Sequence, residues 1–407
     1  MTRLYMYDDA IARNFEPFSV TRPVSELRAG AEVIRKRWER TTAGRARAFI
    51  SSPALCDFEE FDAPHALEPA TTIPAGSIVA NSRCVISLSE VLATGDSIWT
   101  CEGKVCAIRL TADLAPDTLA DGSRALDDMA HDASRRALVG RWVDAVWDFI
   151  GQLSPQLTED IGALAPSVSV TTLMHDAIGS HALTVEDGAL IEPYVIFDVT
   201  AGPVMVRRGA SIAAFTRLIG PCYIGIDSVI VGDRIANCSI GDTCKVRGEI
   251  SSSIVLGHSN KGHTGFVGHS YLGRWVNLGS GTTTSNLKNT YGTVQLWTPQ
   301  GLRETGQQFL GTLFGDHAKT GIGTMLTTGT VLGAGANVFG TVMPPKYVPP
   351  FAWGEREPYA AFARAKFLDV AERVMSRRHV TLGERQRRHL ARIHSARAPV
   401  TAQGAAG

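Results

Sequence analysis

Aliphatic residues return every six positions over a long stretch of the chain. Val185, Ile191 and Phe197 are six apart, as are Ile224 and Ile230, Ile240 and Val246, and Phe266, Leu272 and Leu278. Glycine often follows, as in Ile224-Gly225, Ile240-Gly241, Leu272-Gly273, Leu278-Gly279 and Ile322-Gly323. A helix repeats near 3.6 residues and a strand every 2, so neither explains six. A coil of short strands joined by tight corners does. One aliphatic per strand fills the interior and a small residue permits each turn. The register slips by two between Ile230 and Ile240. It breaks across about 284–320, which reads as a loop leaving the coil.

The flanks have other textures. Residues 1–165 read as mixed α/β, 166–343 hold the repeat, and 344–400 read as a helical tail. Val24, Leu27, Ala31, Ile34 and Trp38 are spaced by threes and fours, which predicts one helical face opened by Pro23. Residues 48–50 and 77–80 read as strands. A second helix is expected over roughly 134–153, with Trp142, Val146 and Phe149 on one side, and a linker near 155–166. Pro344-Pro345 and Pro349-Pro350 end the repeat. Phe362, Phe367, Val370 and Val374 then follow helical spacing, and the arginines of 385–397 read as a solvated helix face. Residues 401–407 read as a disordered tail.

Composition narrows the function classes. Lys plus Arg equals Asp plus Glu at 40 each, so neither a strongly basic nucleic-acid binder nor a membrane-surface binder is expected. No apolar run reaches the ~18 residues of a membrane span, and the acidic N-terminus does not read as a signal peptide. The 7 cysteines include no CxxC and suggest free thiols in a reducing, cytoplasmic setting.

The stretch from Lys261-Gly262-His263-Thr264-Gly265-Phe266 through Asn277-Leu278-Gly279-Ser280-Gly281-Thr282 to Asn286 resembles a known family. It is similar to the left-handed β-helix acetyltransferase domain of the bifunctional bacterial enzymes that acetylate glucosamine 1-phosphate and couple the product to UTP. Gly248-Glu249 and Lys319-Thr320-Gly321-Ile322-Gly323 match other parts of that pattern. Thr21-Arg22-Pro23, Glu26-Leu27-Arg28, Gly315-Asp316-His317 and Phe351-Ala352-Trp353-Gly354 resemble a divergent sugar nucleotidyltransferase branch. The implied fold is a nucleotidyltransferase-like α/β domain, then a left-handed parallel β-helix of hexapeptide repeats, then a helical tail. The implied assembly is a homotrimer with the acyl-CoA site between neighbours.

The resemblance also implies a site. Acyl transfer from a thioester to an amine needs a base, an oxyanion donor and aligned partners. Imidazole titrates near working pH, at about 6.5, and His263 stands at the family's base position. Ser280, between Gly279 and Gly281, marks the turn whose backbone N–H receives the carbonyl oxygen. These glycines and Thr330 are expected to meet acetyl-CoA, and Asn286 and Asn277 the amino sugar. Glu249 is expected to orient His263 or bind hydroxyls. Lysine is rare here, with eight against 32 arginines, so Lys261, Lys288 and Lys319 in these motifs suggest contacts with a sugar phosphate. Ser251 and Phe266 stand where the family has a Lys and a Tyr, which puts glucosamine 1-phosphate itself in doubt. His258, His263 and His269 also raise a zinc reading. In the N-terminal part, Arg22 and Arg28 are candidate contacts for an NTP, and Asp8 and Asp9 for Mg2+. Two alternatives stay open: nucleotidyl transfer alone with a β-helix used for trimerisation, and a non-catalytic sugar-nucleotide scaffold.

Overall fold

The structure, a computed structural model, describes residues 2–93, 95–130, 135–170 and 177–399. It divides into two compact units, Met1–Phe149 with Gly383–His389, and Ile150–Leu382 with Leu390–Gly407. The expected tail disorder at 401–407 falls outside the described residues.

The first unit is built on a six-stranded mixed sheet. Its strand order is Ala46–Ile50, Leu4–Tyr7, Ile78–Asn81, Lys104–Arg109, Ile98–Cys101 and Arg135–Ala137. Leu4–Tyr7 pairs in parallel with both neighbours. The strands expected at 48–50 and 77–80 are therefore present. The helix expected across Val24–Trp38 is only half there. Val24–Glu26 is a single 3-10 turn, Arg28–Ala29 and Glu32–Val33 form a small hairpin, and the helix is Ile34–Thr42. The five spaced apolar residues are all buried, but Gly30 at φ +60° turns the chain where a helix would continue. The 134–153 helix is also corrected. Trp142 ends a strand, Gly140–Trp142, paired with Cys84–Ile86, and the helices are Asp148–Gly151 and Leu153–Leu164. That last helix occupies the stretch read as a linker, because Leu153, Leu157, Ile161 and Leu164 give it a buried face.

The second unit is a three-sided parallel β-solenoid. Its sheets carry six, nine and ten strands. Val185, Ile191 and Phe197 fall one on each sheet, in strands Leu183–Val185, Leu190–Ile191 and Ile196–Val199, and join one continuous core. This is the physical content of the six-residue period. Each fully buried aliphatic stabilises the coil by about 1.5–3 kcal/mol. The slip after Ile230 has a simple cause. Ile235 is the inward residue of Asp233–Ala236, five positions from both Ile230 and Ile240. The same happens at Phe266, expected inside. Ile250 pairs with Val267, which is buried, and Phe266 pairs with Glu249 on the outer face.

After Thr283–Thr284 the chain leaves the coil. It forms the hairpin Gln295–Thr298 with Gly301–Glu304 and returns at Thr312–Phe314. Trp297 stacks on Tyr347 at 3.5 Å and holds the excursion down. Helices Arg364–Ser376 and Glu384–Arg397 follow the last coil. Among the described residues no helix is long and apolar enough to cross a membrane.

Candidate functional site

Two stacked corners form the centre of the site. The first links strand Asn260–Lys261 to strand Phe266–Gly268 and carries His263, which is exposed. Lys261 lies in the interior column, in register with Val246, Ile230 and Ile212. Its ammonium donates to the carbonyls of Arg247 (3.2 Å), His263 (2.5 Å) and Thr264 (3.1 Å). Burial pushes it down to about 8, against the pull of Asp233. Lys261 therefore ties the histidine corner from within, and the expected phosphate contact is not what its geometry provides.

The second corner is Gly279–Thr282, closed by the Thr282 N–H donating to Gly279 O at 3.1 Å. Glycine is required here. A Cβ on Gly279 would sit 2.4 Å from Gly321 O, and Gly281 holds φ +74°. The Gly281 N–H donates to Thr264 O (3.0 Å), which stacks this corner against the histidine corner. The Gly279 N–H donates to Thr320 O (3.1 Å). The Ser280 N–H has no hydrogen-bond partner among the described residues. It is the one backbone donor of this turn left for a ligand oxygen.

The outer face beside these corners is a groove of ≈ 710 Å³ lined by Phe215, Arg217, Arg234, Glu249, Thr264 and Phe266, among others. Arg217 lies opposite Arg234. Arg234 pairs with Glu249 at 3.4 Å, and Glu249 lies opposite Phe266. Glu249 thus faces the groove and is engaged by Arg234. On the adjacent face Asn260 donates to Asn277 Oδ1 (2.8 Å), and Asn277 lies opposite Lys319. Lys319 Nζ donates to His317 O (3.0 Å), and burial pushes this ammonium down to about 8.

The remaining expected residues separate. Asn286 Nδ2 meets His269 Nδ1 at 2.9 Å, and the His269 ring stacks on Phe309. Asn286 therefore anchors the excursion to the coil. Lys288 lies in that excursion, half-buried. Thr330 is wholly buried and donates to Thr327 O (2.8 Å), out of reach of a cofactor. His258 meets Arg274 and Trp275. No group of three His, Cys, Asp or Glu that could hold a metal occurs among the described residues, so His258, His263 and His269 do not form such a cluster within one chain.

In the first unit Asp8 and Asp9 follow the strand Leu4–Tyr7, next to the edge of the sheet, at the carboxyl ends where open α/β sheets bind ligands. Here that position is filled from within. Asp9 accepts from Arg83, Asn81 and the Ala12 N–H. Asp8 is buried and accepts from Ser51 (2.6 Å) and the Val24 N–H (3.1 Å). Burial holds its carboxyl above the usual range. Only Asp8 Oδ1 stays without a partner, so the pair does not fit a Mg2+ ion. Arg22 makes a two-point ion pair with Glu60 at 2.7 and 3.1 Å, both buried. Arg28 is buried and donates to Ala31 O. Neither arginine is placed for an NTP.

Sequence reasoning missed Arg217, Arg234 and Phe215. Their adjacency depends on coil lengths that vary from turn to turn, 21 residues from Ile196 to Arg217 and 17 from Arg217 to Arg234, and no local motif marks them. The inward turn of Lys261 was not readable from the spacings Ile240–Val246 and Phe266–Leu272: it stands fifteen residues after Val246, and its six-residue neighbours are Val255 and Val267, which the structure places in the core.

Fold and repeat together define a hexapeptide-type β-solenoid protein with an α/β unit before it. Residues 4–167 match the family model described as sugar nucleotidyl transferase. The chain is 30% identical over 117 residues to the bifunctional protein GlmU of Jannaschia sp., covering 28% of this chain and 24% of that protein. It is 30% identical over 91 residues to a bifunctional sugar-1-phosphate nucleotidylyltransferase/acetyltransferase of Sulfurisphaera tokodaii, covering 22% and 23%. The matched stretches thus span about a quarter of each relative. The resemblance to bifunctional nucleotidyl- and acetyltransferases rests on these matches. Among solved structures, a hexapeptide transferase family protein from Anaplasma phagocytophilum aligns at 18% identity and TM-score 0.19, over 48% of this chain and 91% of its own. An N-acyltransferase from Bacillus cereus in complex with dTDP and coenzyme A aligns at 12% and 0.20, over 49% and 91%.

Proposed function

We propose that the solenoid transfers an acetyl group, or a related acyl group, from acetyl-CoA to an amino sugar carrying phosphate. The observation that carries this reading is the pair of stacked corners. They carry an exposed imidazole at His263 and an unpartnered N–H at Ser280 on adjoining coils, and the histidine corner borders the groove through Thr264 and Gly265. The acceptor amine attacks the thioester carbonyl carbon and gives its proton to His263. The carbonyl oxygen gains charge and is received by the Ser280 N–H, a kind of donor typically worth on the order of 3 kcal/mol. The C–N bond forms, the C–S bond breaks, and the imidazolium returns the proton to the departing thiolate. Glycine at 279 and 281 lets the thioester approach the main chain. Asn277 and Lys319, on the adjacent face, hold the acceptor or the pantetheine. A homotrimer would complete the groove with a neighbouring copy.

A second activity, nucleotidyl transfer to a sugar 1-phosphate, is favoured by the family match over residues 4–167. It would use residues other than Arg22, Arg28, Asp8 and Asp9, which are committed internally.

Free-thiol release from acetyl-CoA, measured with a panel of phosphorylated and nucleotide-linked amino sugars, tests the main reading. Release that His263→Ala abolishes supports it. No release with any acceptor, or equal release from His263→Ala, removes it.

A further inference from the structure

The groove extends well beyond the histidine corner. At its far end Phe215 stacks on Tyr194 with rings parallel to within 2° and centroids 5.6 Å apart. These are the most exposed rings of the solenoid's coils, at 77% and 74%. Both residues hold left-handed backbones, φ +63° and +66°, a conformation that bulky side chains rarely adopt. The left-handed conformation recurs at other coil corners, among them Asp233, Ser252 and His269, so it is the exposure of two stacked rings that marks a surface for a planar ligand. Arg217 and Arg234 come next along the groove, in register on neighbouring strands. Each has one carboxylate partner, Asp198 at 2.7 Å and Glu249 at 3.4 Å. A guanidinium has five donors in a planar fork, so donors remain for phosphate oxygens. Glu249, Phe266 and Thr264 close the near end.

Length decides what fits. Strands Thr216–Ile219, Asp233–Ala236, Glu249–Ser251 and Phe266–Gly268 are successive neighbours. Three steps of about 4.8 Å separate the aromatic end from the histidine end by ~14 Å. An amino-sugar 1-phosphate is only one hexose ring and one phosphate long and does not span it. We propose that the acceptor is a nucleoside-diphosphate amino sugar. Its base stacks on Phe215, its diphosphate lies between Arg217 and Arg234, and its hexose sits over Glu249 and Phe266 with the amine at the His263 corner. The phosphate charge is then met by arginines one or two coils away. This accounts for Ser251 and Phe266 standing where the resembled family has Lys and Tyr. The position of the amine rests on the acyl-transfer reading; the nucleotide contacts do not.

Calorimetric titration with UDP, with dTDP and GDP in parallel, and with the parent nucleosides, tests the assignment on the full chain. Phe215 and both arginines are exposed, so their removal leaves the core intact, which a thermal melt of each variant checks. Phe215→Ala is expected to weaken nucleoside and nucleotide at least tenfold. Arg217→Ala with Arg234→Ala is expected to weaken only the diphosphates by a similar factor. The proposal is overturned if no nucleoside diphosphate binds the wild type. It is equally overturned if both variants bind as the wild type does, or if Phe215→Ala changes only the molar mass by light scattering, which would make the stack a contact between copies. Nucleotide affinity that maps to Phe215 without any thiol release would remove the acyl-transfer reading and leave the nucleotide groove. Thiol release with an amino-sugar 1-phosphate that ignores Phe215→Ala would do the reverse.

Discussion

Replacing Lys261 with Met separates the rigidity of the histidine corner from the stability of the coil. Methionine keeps most of the volume and lies in a column otherwise filled by Ile212, Ile230 and Val246. The substitution removes three donors. Thr264 O retains the Gly281 N–H, so two carbonyls, those of Arg247 and His263, lose the ammonium. A carbonyl left unpaired costs about 1–3 kcal/mol where water cannot reach it, so about 6 kcal/mol is the ceiling for these two, which lie on exposed residues. Against this stands relief from burying the ammonium. Its fall from 10.5 to about 8 corresponds to about 3 kcal/mol at 1.36 kcal/mol per pH unit. The net change in stability runs from a gain of about 3 to a loss of about 3 kcal/mol, while the corner loses its internal tie outright. Hydrogen exchange read by mass spectrometry is expected to rise about tenfold or more at residues 262–266 and to change little in coils distant from the corner. The acyl transfer proposed above is expected to fall with it, through kcat more than KM. Unchanged exchange at 262–266 in the variant would refute the tie.

Other expectations follow from the buried charges. Arg22→Ala leaves Glu60 buried without its two-point partner and should cost about 3–5 kcal/mol in urea unfolding. The double change Arg22→Met with Glu60→Met should cost far less; equal costs would contradict a purely structural pair. Lys319, held at about 8 against 10.5 when unfolded, binds fewer protons folded than unfolded between those values. Stability should therefore rise as pH climbs from about 8 to 10.5, by up to about 3 kcal/mol from this group, and Lys319→Met should flatten that slope. Burial holds the His269 imidazole below its usual 6.5. Acidification below about 6.5 should therefore destabilise the fold, as the unfolded chain takes up the proton first. Asn286→Ala should loosen residues 285–310 in the same exchange experiment and raise the His269 pKa measured by NMR.

The solenoid was legible because its signal is local. One inward aliphatic per strand and small residues at corners repeat often enough to stand out, but the proline pairs at 344–350 do not end the coil: Tyr347–Val348 and Ala352–Gly354 each add a further parallel strand, with Val348 and Ala352 in the core. The shortened corners at Ile235 and Val267 were not legible as such. They show in the sequence only as a shift of one residue, yet that shift turns Phe266 outward and brings it beside Glu249. In the first unit the spacing of Val24, Leu27 and Ala31 correctly marked buried residues but not a helix. A 3-10 turn and a hairpin around Gly30 bury them equally well. Of the site, the two stacked corners follow from the motif. The partners of Lys261, Asn286, Arg22 and Asp9 do not, since a sequence cannot say whether a polar group meets substrate or its own backbone. The groove's far end, from Arg234 to Phe215, needed the coil-to-coil register.

The account turns on a thioester lying between the two corners. A crystal structure with coenzyme A bound tests this most directly, with the acetyl thioester or a non-hydrolysable analogue. The expected result places the acyl oxygen about 3 Å from the Ser280 N–H, with the sulfur beside the His263 ring. Coenzyme A bound on another face, with the Ser280 N–H still turned to solvent, would contradict it.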